Sequence, residues 1–119
     1  LYENYLLDSA AVVAILQSND KENQWSSKVN IENVANYFEE HKLERRYWDN
    51  KKPTEDKLNN WQSEIHAAKL LADIFLHFSD KKLLYRKTTH SVELTDWLIE
   101  NKPSMFDELK SLLENLYRP

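Results

Sequence analysis

The stretch Thr54-Glu55-Asp56-Lys57-Leu58-Asn59-Asn60-Trp61-Gln62-Ser63-Glu64-Ile65-His66-Ala67-Ala68-Lys69-Leu70-Leu71-Ala72-Asp73-Ile74-Phe75-Leu76-His77-Phe78 decides the fold class. Leu58, Trp61, Ile65, Ala68, Leu71 or Ala72, Phe75 and Phe78 recur at three- and four-residue steps, the period that gathers apolar side chains on one face of a helix. Thr54 stands where a hydroxyl can accept from the free N–H groups of a first turn, and Glu55 and Asp56 suit the positive end of the helix dipole. The spacing predicts one long central helix over 54–78, running out into Lys81 and Lys82.

Flanking segments carry the same period. Asp8 precedes Ser9-Ala10-Ala11 and an apolar run of Val12, Val13, Ile15 and Leu16, which predicts a helix ending near Gln17. Residues 18–28 are polar around Trp25 and read as a loop. Asn30 is placed to cap a helix from Ile31 to about Trp48, with Ile31, Val34, Phe38 and His41 on one face. Pro53 disfavours helical backbone at Lys52 and sets a boundary there. Leu83, Leu84 and Tyr85 suit a short extended piece near 83–86, with Thr88 or Thr89 capping the next helix. Val92, Leu94, Trp97, Leu98 and Ile99 predict about three turns of that helix, ending at Asn101 before Pro103. A last helix is expected from Ser104, paired with Asp107, burying Met105, Phe106, Leu109, Leu112, Leu113 and Leu116.

The composition agrees with an all-α reading. The chain of 119 residues has no glycine, where average usage of about 7% predicts about eight. A sheet needs cheap positive φ at its turns and bulges, whereas helices can end on asparagine, and Asn19, Asn50 and Asn101 stand near expected ends. The expected architecture is five helices, orthogonal or bundle-like, in one domain over 1–119. The start at Leu1 rather than methionine reads as a piece of a longer protein.

The same counts narrow function. Without glycine there is no Walker A loop, GxGxxG fingerprint, EF-hand loop or GxSxG elbow. Without cysteine there is no disulfide framework, thiol nucleophile or thiolate metal site. The formal charge of −4 argues against a generally basic nucleic-acid binder. No apolar run approaches a membrane span and no signal peptide is visible, so a cytoplasmic protein with no membrane partner is expected. His41, His66, His77 and His90 form no HExxH, and His66 and His77 would sit about 16 Å apart along a continuous helix, too far for one ion. Glu39–Glu40, Glu55–Asp56 and Asp107–Glu108 are sequence neighbours that diverge on a helix, so no acid/base pair is forced.

Two clusters depart from the acidic total. Lys42, Arg45, Arg46, Lys51 and Lys52 face only Glu44 and Asp49, with Tyr47 and Trp48 interleaved. Lys81, Lys82, Arg86 and Lys87 face only Asp80. Cations beside aromatics suit phosphate contact with base stacking, so these nine are the candidate nucleic-acid-binding residues. A solvated face with its aromatics turned into the core explains the same pattern.

One string is motif-like: Tyr2-Glu3-Asn4-Tyr5-Leu6-Leu7-Asp8. It resembles the E-N-Y-L-L-D segment that follows the TOPRIM metal-binding strands in overcoming-lysogenization-defect (OLD) family nucleases and related ATPase-linked TOPRIM proteins of bacterial phage defence. There it leads into a helical region, and the stretch His90 to Tyr117 looks loosely like the C-terminal helical ends of such proteins. The resemblance implies a helical accessory domain of a DNA nuclease, with Glu3 at or next to a divalent-metal site, Mg²⁺ or Mn²⁺ in the parent protein. Asn4 and Tyr5 would position the segment against the TOPRIM sheet, and Lys87 is a candidate for orienting phosphates, although it lacks a neighbouring glycine. The implied partners are the rest of the parent chain, DNA and a second protomer. The family's lone glutamate, its D-x-D pair and its ATPase domain have no counterpart here, so this chain alone would be catalytically incomplete. Taken without the resemblance, Glu3 is an ordinary exposed residue before a helix. The same features also fit a helical interaction or regulatory module of antitoxin, immunity or adaptor type, and less well a small helical enzyme.

Overall fold

A computed structural model of the chain describes residues 2–104 together with 107 and 111. Those residues are all-α, with six α-helices and three 3₁₀ turns and no strand among them. The helices are α1 (Ser9–Ser18), α2 (Ile31–His41), α3 (Glu55–Asn59), α4 (Trp61–Glu64), α5 (Ala67–Phe78) and α6 (Lys87–Asn101); the 3₁₀ turns are Tyr2–Leu6, Ser26–Lys28 and Arg45–Tyr47. Residues 83–86 carry no regular secondary structure, and Arg86 at their end is extended at φ −110°, ψ 112°.

Helix starts follow the capping residues in the first half of the chain. The Asp8 carboxylate accepts from the Ala11 N–H at 3.0 Å, and the Asn30 side chain accepts from the Asn33 N–H at 2.8 Å. Thr54 accepts from the Lys57 N–H at 3.4 Å. Each satisfies one donor that a helix N-terminus leaves open. Neither Thr88 nor Thr89 caps α6. That helix starts earlier, at Lys87, and the His90 ring accepts the Arg86 N–H at 2.7 Å.

The long central helix predicted over 54–78 is broken twice. Asn60, between α3 and α4, leaves the helical region at φ −123°, ψ 44°. Ile65 is extended at ψ 155°, which drives its side chain into the core and turns the chain before α5. Two partners from distant sequence hold the second break. The Asn4 amide donates to the Gln62 and Ile65 carbonyls, and the His66 N–H donates to the Tyr47 carbonyl at 3.0 Å. The apolar period therefore shifts: Ala67, Leu70, Leu71, Ile74 and Phe75 are buried, Trp61 and Phe78 are half-buried and Ala68 is exposed.

Helix α2 also stops early, at His41 rather than Trp48. The chain leaves it through Glu44 in an extended conformation, and the Arg45–Tyr47 turn then swings Tyr47 and Trp48 inward. The Trp48 indole donates to the Lys42 carbonyl at 2.7 Å, which fixes that turn. The buried face of α2 is Val34, Tyr37 and Phe38, whereas Ile31 is 55% exposed. On α6, Leu94 and Leu98 are buried and Trp97 half-buried, but Val92 and Ile99 face outward. The core is one cluster, with α1 packed between α2 and α6 and the Tyr2–Leu6 turn packed against α4, α5 and α6. The expected burial of Met105, Phe106, Leu109, Leu112, Leu113 and Leu116 lies outside the described residues.

Positive φ falls on Asn23, Asp49, Asn50, Asp80 and Lys81. Of the three asparagines expected at helix ends, only Asn50 is left-handed. Asn19 is right-handed at φ −88°, and Asn101 is the last residue of α6.

Candidate functional site

The Tyr2–Leu6 turn is held from both sides. Leu6 and Leu7 are buried, Asn4 bonds the break after α4, and the Gln62 amide donates back to the Leu7 carbonyl at 3.1 Å. This turns Glu3 inward. Its carboxylate accepts from the Tyr85 hydroxyl at 2.7 Å and lies 3.3 Å from Lys87 Nζ. Glu3 is thus buried, with a side chain only 10% exposed, while Lys87 remains 73% exposed. Lys87 is the first residue of the 15-residue α6, so the carboxylate also lies near the positive end of that helix. The structure brings together the two residues the resemblance singled out, Glu3 and Lys87. It adds Tyr85, which is 82 positions from Glu3 and carries no sequence signal for the pairing.

Next to this clasp lies His90, buried, with its ring tilted against Phe75 and Tyr85 at centroid distances of 5.1 and 5.9 Å. Burial, opposed in part by the Glu93 charge, holds its pKa below the ordinary histidine value. The bond from the Arg86 N–H to Nδ1 requires that nitrogen to be an acceptor, so the ring is neutral there.

The described residues do not make a divalent-metal site by themselves. Mg²⁺ and Mn²⁺ need several oxygen ligands, and no group of three His, Asp or Glu side chains gathers around one point among the described residues. The Glu3 carboxylate is engaged by a phenol and an ammonium.

The nine basic candidates divide by what they touch. Lys42 pairs with Glu39 at 2.7 Å and lies 5.6 Å from the centre of the Trp61 ring. Arg46 bridges Glu44 at 3.2 Å and Asp73 at 2.8 Å, and stacks on Tyr47 at 4.8 Å. Lys82 donates to the Gln24 side chain, and Lys87 faces Glu3. Arg45, Lys51, Lys52, Lys81 and Arg86 are exposed and make no close ion pair among the described residues, and the Lys51 charge acts on Asp49. The first segment and the start of the second lie at opposite ends of α5. The first attaches at the start of α5, where Tyr47 bonds His66 and Asp49 pairs with His66 at 2.7 Å. The second starts at its end, where the Lys81 N–H donates to the Leu76 carbonyl, and runs back to Lys87 beside Glu3. His66 and Ser79 flank α5 and are about 20 Å apart at 1.5 Å per residue.

Both interleaved aromatics of the first segment are core residues, as the bland reading expects. Tyr47 is fully buried, donates its hydroxyl to Asp73 and accepts from Arg46 at 2.9 Å. Burial first, then the bond to Asp73, pushes the Tyr47 phenol well above its ordinary range, so it stays protonated. Asp49 is held below the usual carboxylate range chiefly by its hydrogen bond with His66.

Asp20, in the polar loop before Trp25, was not singled out by the sequence. Its carboxylate accepts from the Gln24, Trp25 and Ser26 N–H groups at 2.7 Å each and from the Ser26 hydroxyl at 2.8 Å. Burial opposes its ionisation, but these four donors prevail and hold its pKa down to about 2. The loop is thereby fixed, and the Trp25 indole reaches the Leu16 carbonyl at 2.8 Å.

No helix among the described residues is long and apolar enough to cross a membrane. Comparison with protein-family models, with curated proteins and with solved structures finds no match.

Proposed function

We propose that this chain is a helical accessory domain of a TOPRIM-type, ATPase-linked DNA nuclease of bacterial phage defence. It contributes no complete reaction centre of its own and contacts nucleic acid through its free cations. The observation that carries the reading is how the Glu3–Asp8 string is built into the helical body. Asn4 locks it to the α4–α5 break, Leu6 and Leu7 anchor it, Asp8 caps α1, and Glu3 meets Lys87. In this reading the carboxylates that hold Mg²⁺ or Mn²⁺ belong to other parts of the parent protein. Glu3 and Lys87 brace the edge of that site. Phosphate contact falls to Arg45, Lys51 and Lys52, which are exposed and make no close ion pair among the described residues.

Titration with duplex DNA at low and high salt tests the contact. Binding should weaken steeply with salt, and replacing Arg45, Lys51 and Lys52 together with glutamine should lower the logarithmic salt slope by about 0.9 for each phosphate that is no longer neutralised. Binding that is undetectable at low salt removes the nucleic-acid role. The outward-facing Val92 and Ile99 on α6 favour a second reading, a protein-interaction or regulatory module without catalysis. A stable protein complex that shields α6 from hydrogen exchange, together with no DNA binding, would select it.

A further inference from the structure

Two residues at the start of α5 stand against the first basic segment, although the sequence places them outside it. The His66 N–H donates to the Tyr47 carbonyl at 3.0 Å, and Lys69 Nζ donates to the Arg46 carbonyl at 3.4 Å. Both side chains are exposed, and Lys69 makes no close ion pair among the described residues.

The facing turn is fixed by its own backbone. The Asn50 N–H donates to the Arg45 carbonyl at 2.9 Å and the Lys51 N–H to the Trp48 carbonyl at 3.0 Å, with Asp49 and Asn50 in the left-handed region. The Asp49 carboxylate, 79% exposed, meets His66 Nε2 at 2.7 Å. That hydrogen bond first, then the charges of His66, Lys69 and Lys51, hold its carboxyl below the usual carboxylate range. The neighbouring carboxylates are committed elsewhere: Glu44 is bonded to His41 and Arg46, and Asp73 to Arg46 and Tyr47. Asp49 is thus the anion that sits among His66, Lys69 and Lys51. An exposed ion pair contributes little, so another anion can take its place. A duplex backbone brings the same charge, repeated along a strand.

We propose that Asp49 occupies the seat of a DNA phosphate: the phosphate displaces its carboxylate and is held by His66, Lys69 and Lys51, which makes Asp49 a built-in competitor of nucleic-acid contact. This seat rests on the nucleic-acid reading above and adds His66 and Lys69 to the contact surface.

The test is a titration of the chain with a short DNA duplex, from low salt to about 0.1 M, where charges are screened beyond about 10 Å. Asp49→Asn, Asp80→Asn and Lys69→Gln are run in parallel; asparagine tolerates the left-handed backbone at 49 and 80. Asp49→Asn should bind about fivefold more tightly, the effect of removing one unit repulsion at contact distance in water. Asp80→Asn removes the same charge at the other end of α5, and should change affinity by less than about twofold at 0.1 M salt. Lys69→Gln should bind more weakly and lower the logarithmic salt slope by about 0.9. No gain in Asp49→Asn, an equal gain in Asp80→Asn, or an unchanged slope in Lys69→Gln would overturn the seat and leave the nucleic-acid reading standing. Failure of both the parent and Asp49→Asn to bind at low salt would overturn the two together.

Discussion

Replacing Glu3 with alanine should destabilise the fold by about 2 kcal/mol, although the residue stands near the start of the chain. A hydrogen bond from a neutral donor to a charged acceptor contributes about 1.5–3 kcal/mol, and the Tyr85 hydroxyl makes one to Glu3 at 2.7 Å. Lys87 adds at most about 1 kcal/mol, because its side chain is 73% exposed and solvent screens the pair. The α6 N-terminus adds about 0.3–1 kcal/mol. Removing a buried charge returns part of this sum, which brings the net near the lower figures. Glu3→Gln keeps an acceptor and should cost about 1 kcal/mol. Urea unfolding followed by fluorescence of the buried Trp25 and Trp48 reads the change directly. At a slope of about 2 kcal/mol per molar urea, the alanine midpoint should fall by about 1 M. A double-mutant cycle with Tyr85→Phe isolates the hydrogen bond and should give a coupling of about 1 kcal/mol or more. An alanine variant within about 0.5 kcal/mol of the parent, with no coupling to Tyr85, would show Glu3 to be solvated and would refute the clasp.

Two further outcomes concern pH. The depressed pKa of Asp20, about 2 against 3.8, means that the unfolded chain takes up a proton first as acid is added. Its stabilisation is complete above about pH 4 and disappears as pH falls towards 2, so urea midpoints should drop across that window, with a shallower drop in Asp20→Asn. His90 has the opposite charge type: its folded pKa lies below the ordinary 6.5, so stability should decline as pH falls through 6.5 and the unfolded chain protonates first. Imidazole resonances of His90 followed by NMR should titrate below 6.5, and a midpoint at or above that value would contradict its burial.

What the sequence made legible was local, and what it hid was contact across distance. Asp8, Asn30 and Thr54 cap helices as their residue types and positions indicate, because capping involves only neighbours three positions on. The all-α class follows from periodicity and the absence of glycine, which are also local. The break at Ile65 is different. Its apolar side chain fits the period of a continuous helix, and only Asn4 and Tyr47, remote in sequence, make the interruption favourable. Ile31, Val92 and Ile99 fit the buried stripe on periodicity alone, yet a helix face is buried only where a neighbour covers it. In the site, the approach of Glu3 to Lys87 depended on the fold, and the pairing of Arg46 with Asp73 removed a cation that charge counting left free.

The left-handed positions bear on how this chain tolerates change. Asn23, Asp49, Asn50, Asp80 and Lys81 hold positive φ with a Cβ present, a conformation that glycine would adopt without steric penalty. Asparagine and aspartate visit it readily, but lysine does not. Lys81 is therefore where the backbone is most strained among the five, and exchanging it for glycine relaxes the folded state while enlarging the unfolded ensemble. Selection acting on heat tolerance would meet opposing pressures at that one residue, three positions beyond α5, whereas the asparagine and aspartate turns already sit near a compromise between the two.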